Sequence, residues 1–138
     1  MKRIIFSLFI DIPKAELDLF DDHIKKPEAI HTNYNTKNEF QLNYQRLVDC
    51  KVKYAKTIGV DFEMVEDYTE YYKFFRENYP EITSYNIVNF FKIHLLYEYG
   101  KKYDEVLYLD FDVVPNTDEN FFEVWDLFEG VMQVNIKV

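Results

Sequence analysis

The chain has 138 residues, of which 48% are hydrophobic and 19% aromatic, and it carries a net charge of -9. This is enough for one packed domain over 1–138 and excludes disorder, while the acidic balance excludes the broad basic surface that nucleic-acid binding requires. Cys50 is the sole cysteine, which excludes an internal disulfide and a cysteine-built zinc site.

Met1, Lys2 and Arg3 precede a seven-residue apolar run, 4–10, closed by Asp11 and Pro13. A secretory signal needs a longer run and a small-residue cleavage site, so the stretch reads as a buried first strand over 3–10. No run approaches the ~20 apolar residues of a membrane span, and the expectation is a soluble, cytoplasmic protein. Leu17, Leu19, Phe20 and Ile24 sit among acids and lysines as a short helix running to Pro27. Asn33, Asn35 and Asn38 then mark irregular loop, and His23 and His31 have no ligand-like partners.

From Glu39 the residues Phe40, Tyr44, Leu47, Val48 and Ala55 recur at three- and four-residue intervals, predicting one amphipathic helix stopped by Gly59. Cys50 within it reads as a half-buried residue without a role. Residues 60–65 alternate apolar and acidic side chains, a second strand. A helix over 68–78 follows, ended by Tyr79 and Pro80. Ser84 then caps a helix over 85–99, with Ile87, Phe90, Phe91, His94 and Leu95 as its core stripe and Tyr85, Asn89 and Lys92 on another face.

Gly100 ends that helix and a strand over 106–109 follows. Asn116 and Glu119 make a capping pair for a helix carrying Phe121, Phe122, Trp125 and Phe128, with Asp118 and Glu119 as first-turn acids. Gly130 closes it, and 131–138 reads as a last strand. Strands alternating with helices predict an α/β fold: a Rossmann-like, mostly parallel sheet with helices on both faces and ligands beyond the carboxyl ends of the strands.

The stretch over 105–115 carries the chemistry. Val106, Leu107, Tyr108 and Leu109 form a buried strand, and Asp110 and Asp112 appear where it stops. In extended backbone these aspartates point the same way while Phe111 points to the other face. Like charges held that close favour a shared proton or a shared cation, and hard carboxylate oxygens suit a divalent ion.

The lysine-bearing helix Lys92-Ile-His-Leu-Leu-Tyr-Glu-Tyr-Gly, followed by Val106-Leu-Tyr-Leu-Asp-Phe-Asp-Val-Val, resembles the donor half of nucleotide-sugar glycosyltransferases of the GT-A fold. The glycogenin and lipopolysaccharide-galactosyltransferase group is the nearest resemblance. It implies a metal-dependent glycosyltransferase in which Asp110 and Asp112 hold a manganese or magnesium ion on the diphosphate of a UDP- or GDP-sugar, Asp110 also facing the ribose. It further implies donor contacts from Lys92 and, on the same helix, Asn89. The position of a nucleotide beyond the first two strands nominates Phe9, Ile10 and Asp11 for the base or ribose edge and Asp67 for a base contact. No residue is singled out as catalytic.

The group also implies an acceptor-binding half after the aspartates, for a glycan or protein acceptor, and little chain follows them here. Two alternatives therefore stay open: a truncated enzyme, or a non-catalytic nucleotide-sugar-binding remnant or interaction module that works with a second copy or a partner chain, or not at all. A further rival is the haloacid-dehalogenase phosphatase group, whose first motif is also an apolar strand ending in Asp-x-Asp. That motif normally opens its domain, however, and needs later motifs that 113–138 is too short to hold.

Overall fold

The computed structural model describes residues 1–12 and 38–123. Ile4, Ile5, Phe6, Ser7 and Leu8 are all buried, and the strand they form, β1 (Arg3–Leu8), is the middle of a three-stranded sheet. On one side it pairs in parallel with β2 (Asp61–Val65), Ile4 opposite Asp61 and Leu8 opposite Val65. On the other it pairs in parallel with β3 (Glu105–Tyr108), Arg3 opposite Glu105 and Phe6 opposite Tyr108. A strand buried on both faces needs the near-continuous apolar run that β1 has, and β1 is shorter than the expected 3–10. Phe9 still donates its amide to the Val65 carbonyl at 3.0 Å, so the parallel pattern runs one residue past the strand.

Among the described residues the longer helices are α1 (Tyr44–Ile58), α2 (Thr69–Asn78) and α3 (Ser84–Gly100). Side-chain alternation in the sheet separates two cores. Ile5, Leu107 and Leu109 face Tyr54 and Ala55 of α1, with Phe122 in the same cluster. Ile4 and Phe6 face Tyr99 of α3, with Leu95, Leu96, Val106 and Tyr108 around them. Thus α1 lies on one face of the sheet and α3 on the other. In parallel sheets with helices on both faces, ligands bind beyond the carboxyl ends of the strands. The α/β order and the parallel sheet with helices on both faces agree with the pattern in the sequence. No described helix is long and apolar enough to cross a membrane.

Local chemistry departs from the sequence expectations at several points. The helix expected from Glu39 is broken: residues 38–42 are helical, Asn43 takes φ -104 and ψ 10, and its side-chain amide donates to the Glu39 carbonyl at 2.9 Å. An asparagine that bonds its own backbone competes with the helix in this way. Gly59 then ends α1 in the left-handed region, φ 74, with its amide on the Lys56 carbonyl at 3.2 Å, as its position predicts.

At α3 the cap is Thr83, whose hydroxyl accepts from the Asn86 amide at 3.2 Å, and Ser84 is the first helical residue. The buried side of α3 is Ser84, Ile87, Phe91 and Tyr99, so Phe90 and His94 belong to a more exposed face. Phe90 stacks on Phe75 of α2 with a 4° interplanar angle, and His94 lies against Tyr71 with ring centroids 5.2 Å apart. α2 buries none of its own residues. Arg76 instead ties the turn beyond it to α3, donating to the Ile82 carbonyl and to Ser84 Oγ at 3.2 Å.

Beyond β3 the expected pair of Asn116 and Glu119 is replaced. Thr117 Oγ1 accepts from the Glu119 amide at 3.2 Å and Asn120 Oδ1 from the Phe122 amide at 2.9 Å. The predicted helix over 14–26, the loop carrying Asn33 and Asn35, the helix body with Trp125 and Phe128, and the strand over 131–138 lie outside the described residues, as do His23 and His31.

Candidate functional site

The carboxyl end of β3 does not continue as extended backbone. The Val113 amide donates to the Asp110 carbonyl at 3.0 Å, closing a four-residue turn over 110–113. The expected in-line alternation is therefore replaced by a reversal, with the same outcome for exposure: Asp110 and Asp112 are exposed and Phe111 is buried. The turn forms because Phe111 has an aromatic socket to enter. Its ring centroid lies 4.8 Å from that of Phe9, 5.5 Å from Phe40 and 5.6 Å from Tyr44. Such ring pairs each contribute about 0.5–1.5 kcal/mol beyond burial of their area.

Three donors hold the backbone around the carboxylates. Ser7, fully buried in β1, donates its hydroxyl to the Leu109 carbonyl at 2.7 Å, and the Asp110 carbonyl takes the Val113 amide. The Phe111 carbonyl accepts from the ammonium of Lys51, which also donates to the Leu47 carbonyl at 2.9 Å. Lys51 is 0% exposed and its Nζ lies 5.1 Å from the Phe111 ring centroid. Burying an ammonium costs several kcal/mol, which the two carbonyls and the ring offset. Burial lowers its pKa from the ordinary lysine value, against the opposing pull of Cys50 and Asp112.

Asp110 has two further neighbours. Lys92 Nζ on α3 stands 3.5 Å from its carboxylate and 4.6 Å from the centroid of the Tyr108 ring. The Tyr108 side chain stands beside the same carboxylate, and burial, then the charge of Asp110, raises the Tyr108 pKa. The Lys92 ammonium is partly solvated, with side-chain exposures of 27% for Lys92 and 62% for Asp110. A pair this open is worth about 1 kcal/mol or less and separates readily when a ligand offers better partners.

Among the residues expected to meet a nucleotide, Phe9 is half-buried and committed to the aromatic socket, its ring also 5.4 Å from Tyr44. Ile10 is half-buried, and its carbonyl accepts the Ile12 amide at 3.1 Å. Asp11 is exposed beside them. Asn89 is exposed on α3, one turn before Lys92.

Asp67 lies beyond β2, and one of its oxygens is already engaged: Oδ1 accepts the Thr69 amide at 2.9 Å and the Thr69 hydroxyl at 2.6 Å, opening α2. These bonds hold its carboxyl below the usual carboxylate range. Asp67 also lines an open recess of about 290 Å³ with Tyr68, Thr69, Glu70, Tyr71, Phe91 and His94. Lys92, Asp110 and Asp112 therefore gather at the β3 end, Phe9 supports them from beneath, and Asp67 belongs to a recess at the β2 end.

Lys51, Ser7, Tyr44 and Tyr108 surround the candidate site and were passed over by residue patterns. For Lys51 a signal was present: it stands four residues from both Leu47 and Ala55 on the apolar stripe of α1, an unlikely place for a surface charge. Tyr44 packs its ring on Phe9 and Phe111, and burial, then the Glu66 carboxylate, raises its phenol pKa.

As a donor set, Asp110 and Asp112 offer exposed hard oxygens of the kind magnesium or manganese prefers. Among the described residues no group of three or more His, Cys, Asp or Glu side chains converges, so a cation here would share its coordination with ligand oxygens. That fits the usual habit of Mg²⁺, held by one or two carboxylates plus phosphates and water. No family model, no curated protein and no solved structure matches the chain.

Proposed function

We propose that the carboxyl edge of the sheet binds the diphosphate of a nucleotide sugar through a divalent cation, Mn²⁺ or Mg²⁺, held by Asp110 and Asp112, and that the chain serves glycosyl transfer from this donor. The observation that carries the proposal is the turn over 110–113: it presents two carboxylates to solvent at the end of a parallel strand, beside a lysine 3.5 Å from one of them. Glycosyl transfer needs a leaving diphosphate whose growing negative charge is stabilised. A cation on hard oxygens and a neighbouring ammonium supply that stabilisation.

In this assignment Lys92 exchanges its carboxylate partner for a phosphate oxygen. The recess beside Asp67, lined by Tyr71, Phe91 and the exposed His94, receives the base. Phe9 acts by supporting Phe111, which leaves Asp11 as the donor contact of the β1 end.

Calorimetry with UDP, GDP and dTDP, with and without Mn²⁺, on the wild type and on Asp112→Ala, tests the proposal. Metal-dependent binding of one nucleoside diphosphate, abolished by the substitution, supports it; absence of such binding in the wild type overturns it. Release of nucleoside diphosphate from the matching nucleotide sugar then separates a transferase from a chain that only holds the donor.

A further inference from the structure

Lys51 stands out among buried groups because its charge is delivered to one place. Its ammonium bonds the carbonyl of Phe111, the residue between the two aspartates, and its Nζ also lies against the Phe111 ring. A methionine at the same position of the α1 stripe would pack without the desolvation cost of an ammonium. What lysine adds is a donor to the turn and a positive charge behind two negative ones. Ser7 on the Leu109 carbonyl and Val113 on the Asp110 carbonyl leave Phe111 as the next carbonyl in line, and Lys51 occupies it.

From this geometry we infer that Lys51 is a positioning residue for the carboxylate pair: it locks the turn over 110–113 from the interior and sets the spacing at which Asp110 and Asp112 receive a divalent cation. The inference rests on the cation reading above and names a residue that touches neither cation nor donor. Lys51 acts through the backbone of Phe111, and its charge counters the repulsion between the carboxylates while no cation is bound.

Lys51→Met keeps the apolar stem and removes both donor and charge. Two readouts follow, one of them free of metal. In the metal-free protein, amide hydrogen exchange at Val113 should accelerate about tenfold while Ile5 and Leu107 keep their protection. In a Mn²⁺ titration, affinity should fall about 10- to 100-fold, the range for partners that orient a ligand without touching the ion.

Lys51→Cys in a Cys50→Ser background, alkylated with bromoethylamine while unfolded and then refolded, puts an ammonium back at nearly the same reach. Both readouts should return toward the wild type. A wild type that binds Mn²⁺ and a folded Lys51→Met that binds it equally, with Val113 exchange unchanged, overturns the inference alone. A wild type without Mn²⁺ affinity removes the cation reading and this inference with it. A Lys51→Met protein that loses its far-UV circular dichroism also overturns it, since the lysine then serves the fold and not the turn.

Discussion

Tyr54→Phe isolates one hydroxyl that substitutes for secondary structure. Tyr54 is buried on α1; its OH donates to the Glu119 carbonyl at 2.6 Å and accepts from the Phe121 amide at 3.1 Å. Phenylalanine keeps the ring, so no cavity opens and only the two bonds are lost. Glu119 is exposed and its carbonyl can take water, which limits that loss to about 0.5–1.5 kcal/mol. Phe121 is half-buried against the Tyr54 ring, centroids 5.2 Å apart, and an amide left unpaired there costs about 1–3 kcal/mol.

The sum is about 1.5–4.5 kcal/mol. With a urea slope of about 2 kcal/mol per M, the unfolding midpoint should fall by roughly 0.8–2.2 M. Equilibrium urea denaturation followed by circular dichroism measures it. A change below about 0.5 kcal/mol with an unaltered slope would show that the segment over 119–121 is held without this hydroxyl, and would refute the reasoning.

Thr83→Ala removes the cap of α3 and should cost about 1 kcal/mol in the same assay; a loss below about 0.3 kcal/mol would remove Thr83 from the cap. Lys92→Met should leave stability within about 0.5 kcal/mol, because its ion pair is solvated, yet weaken Mn²⁺-dependent nucleoside diphosphate binding about tenfold. Unchanged affinity removes Lys92 from the site. Burial, then the hydrogen bond and charge of Glu66, push the Tyr44 phenol up to about 12 from the ordinary 10.0. The folded state therefore holds that proton more tightly than the unfolded chain. Its contribution to stability is full below pH 10 and is lost as pH rises through about 12, and Tyr44→Phe should flatten that loss in unfolding curves taken across the window.

The elements that could be read from residues alone were those with one dominant signal. β1 declared itself by a near-continuous apolar run, α1 by its glycine stop, and Asp110 and Asp112 by following a buried strand. α3 misled because apolar residues fall on nearly every side of it: Ile87, Phe90, Phe91, Ile93, Leu95 and Leu96 leave no clean stripe, and packing against both the sheet and α2 decides which are buried. The turn over 110–113 was hidden because it depends on a socket built from Phe9, Phe40 and Tyr44, residues far from it in sequence. Lys51 was passed over because a lysine is ordinarily counted as surface, and only the distant Phe111 carbonyl gives it an interior partner.

The central position of β1 also sets the order in which the protein can be made. Ser7 and the Leu109 carbonyl that it bonds are 102 residues apart, and among the described strands β1 is made first and β3 last. At about 5–20 residues per second, roughly 5–20 s pass between the two on a ribosome. Throughout that interval the apolar run of β1 has at most one of its two neighbours, so the nascent chain exposes a sticky edge where a chaperone would act. The loop-closure entropy of so distant a pairing makes the last docking step, β3 onto β1, a natural bottleneck for refolding in the test tube as well.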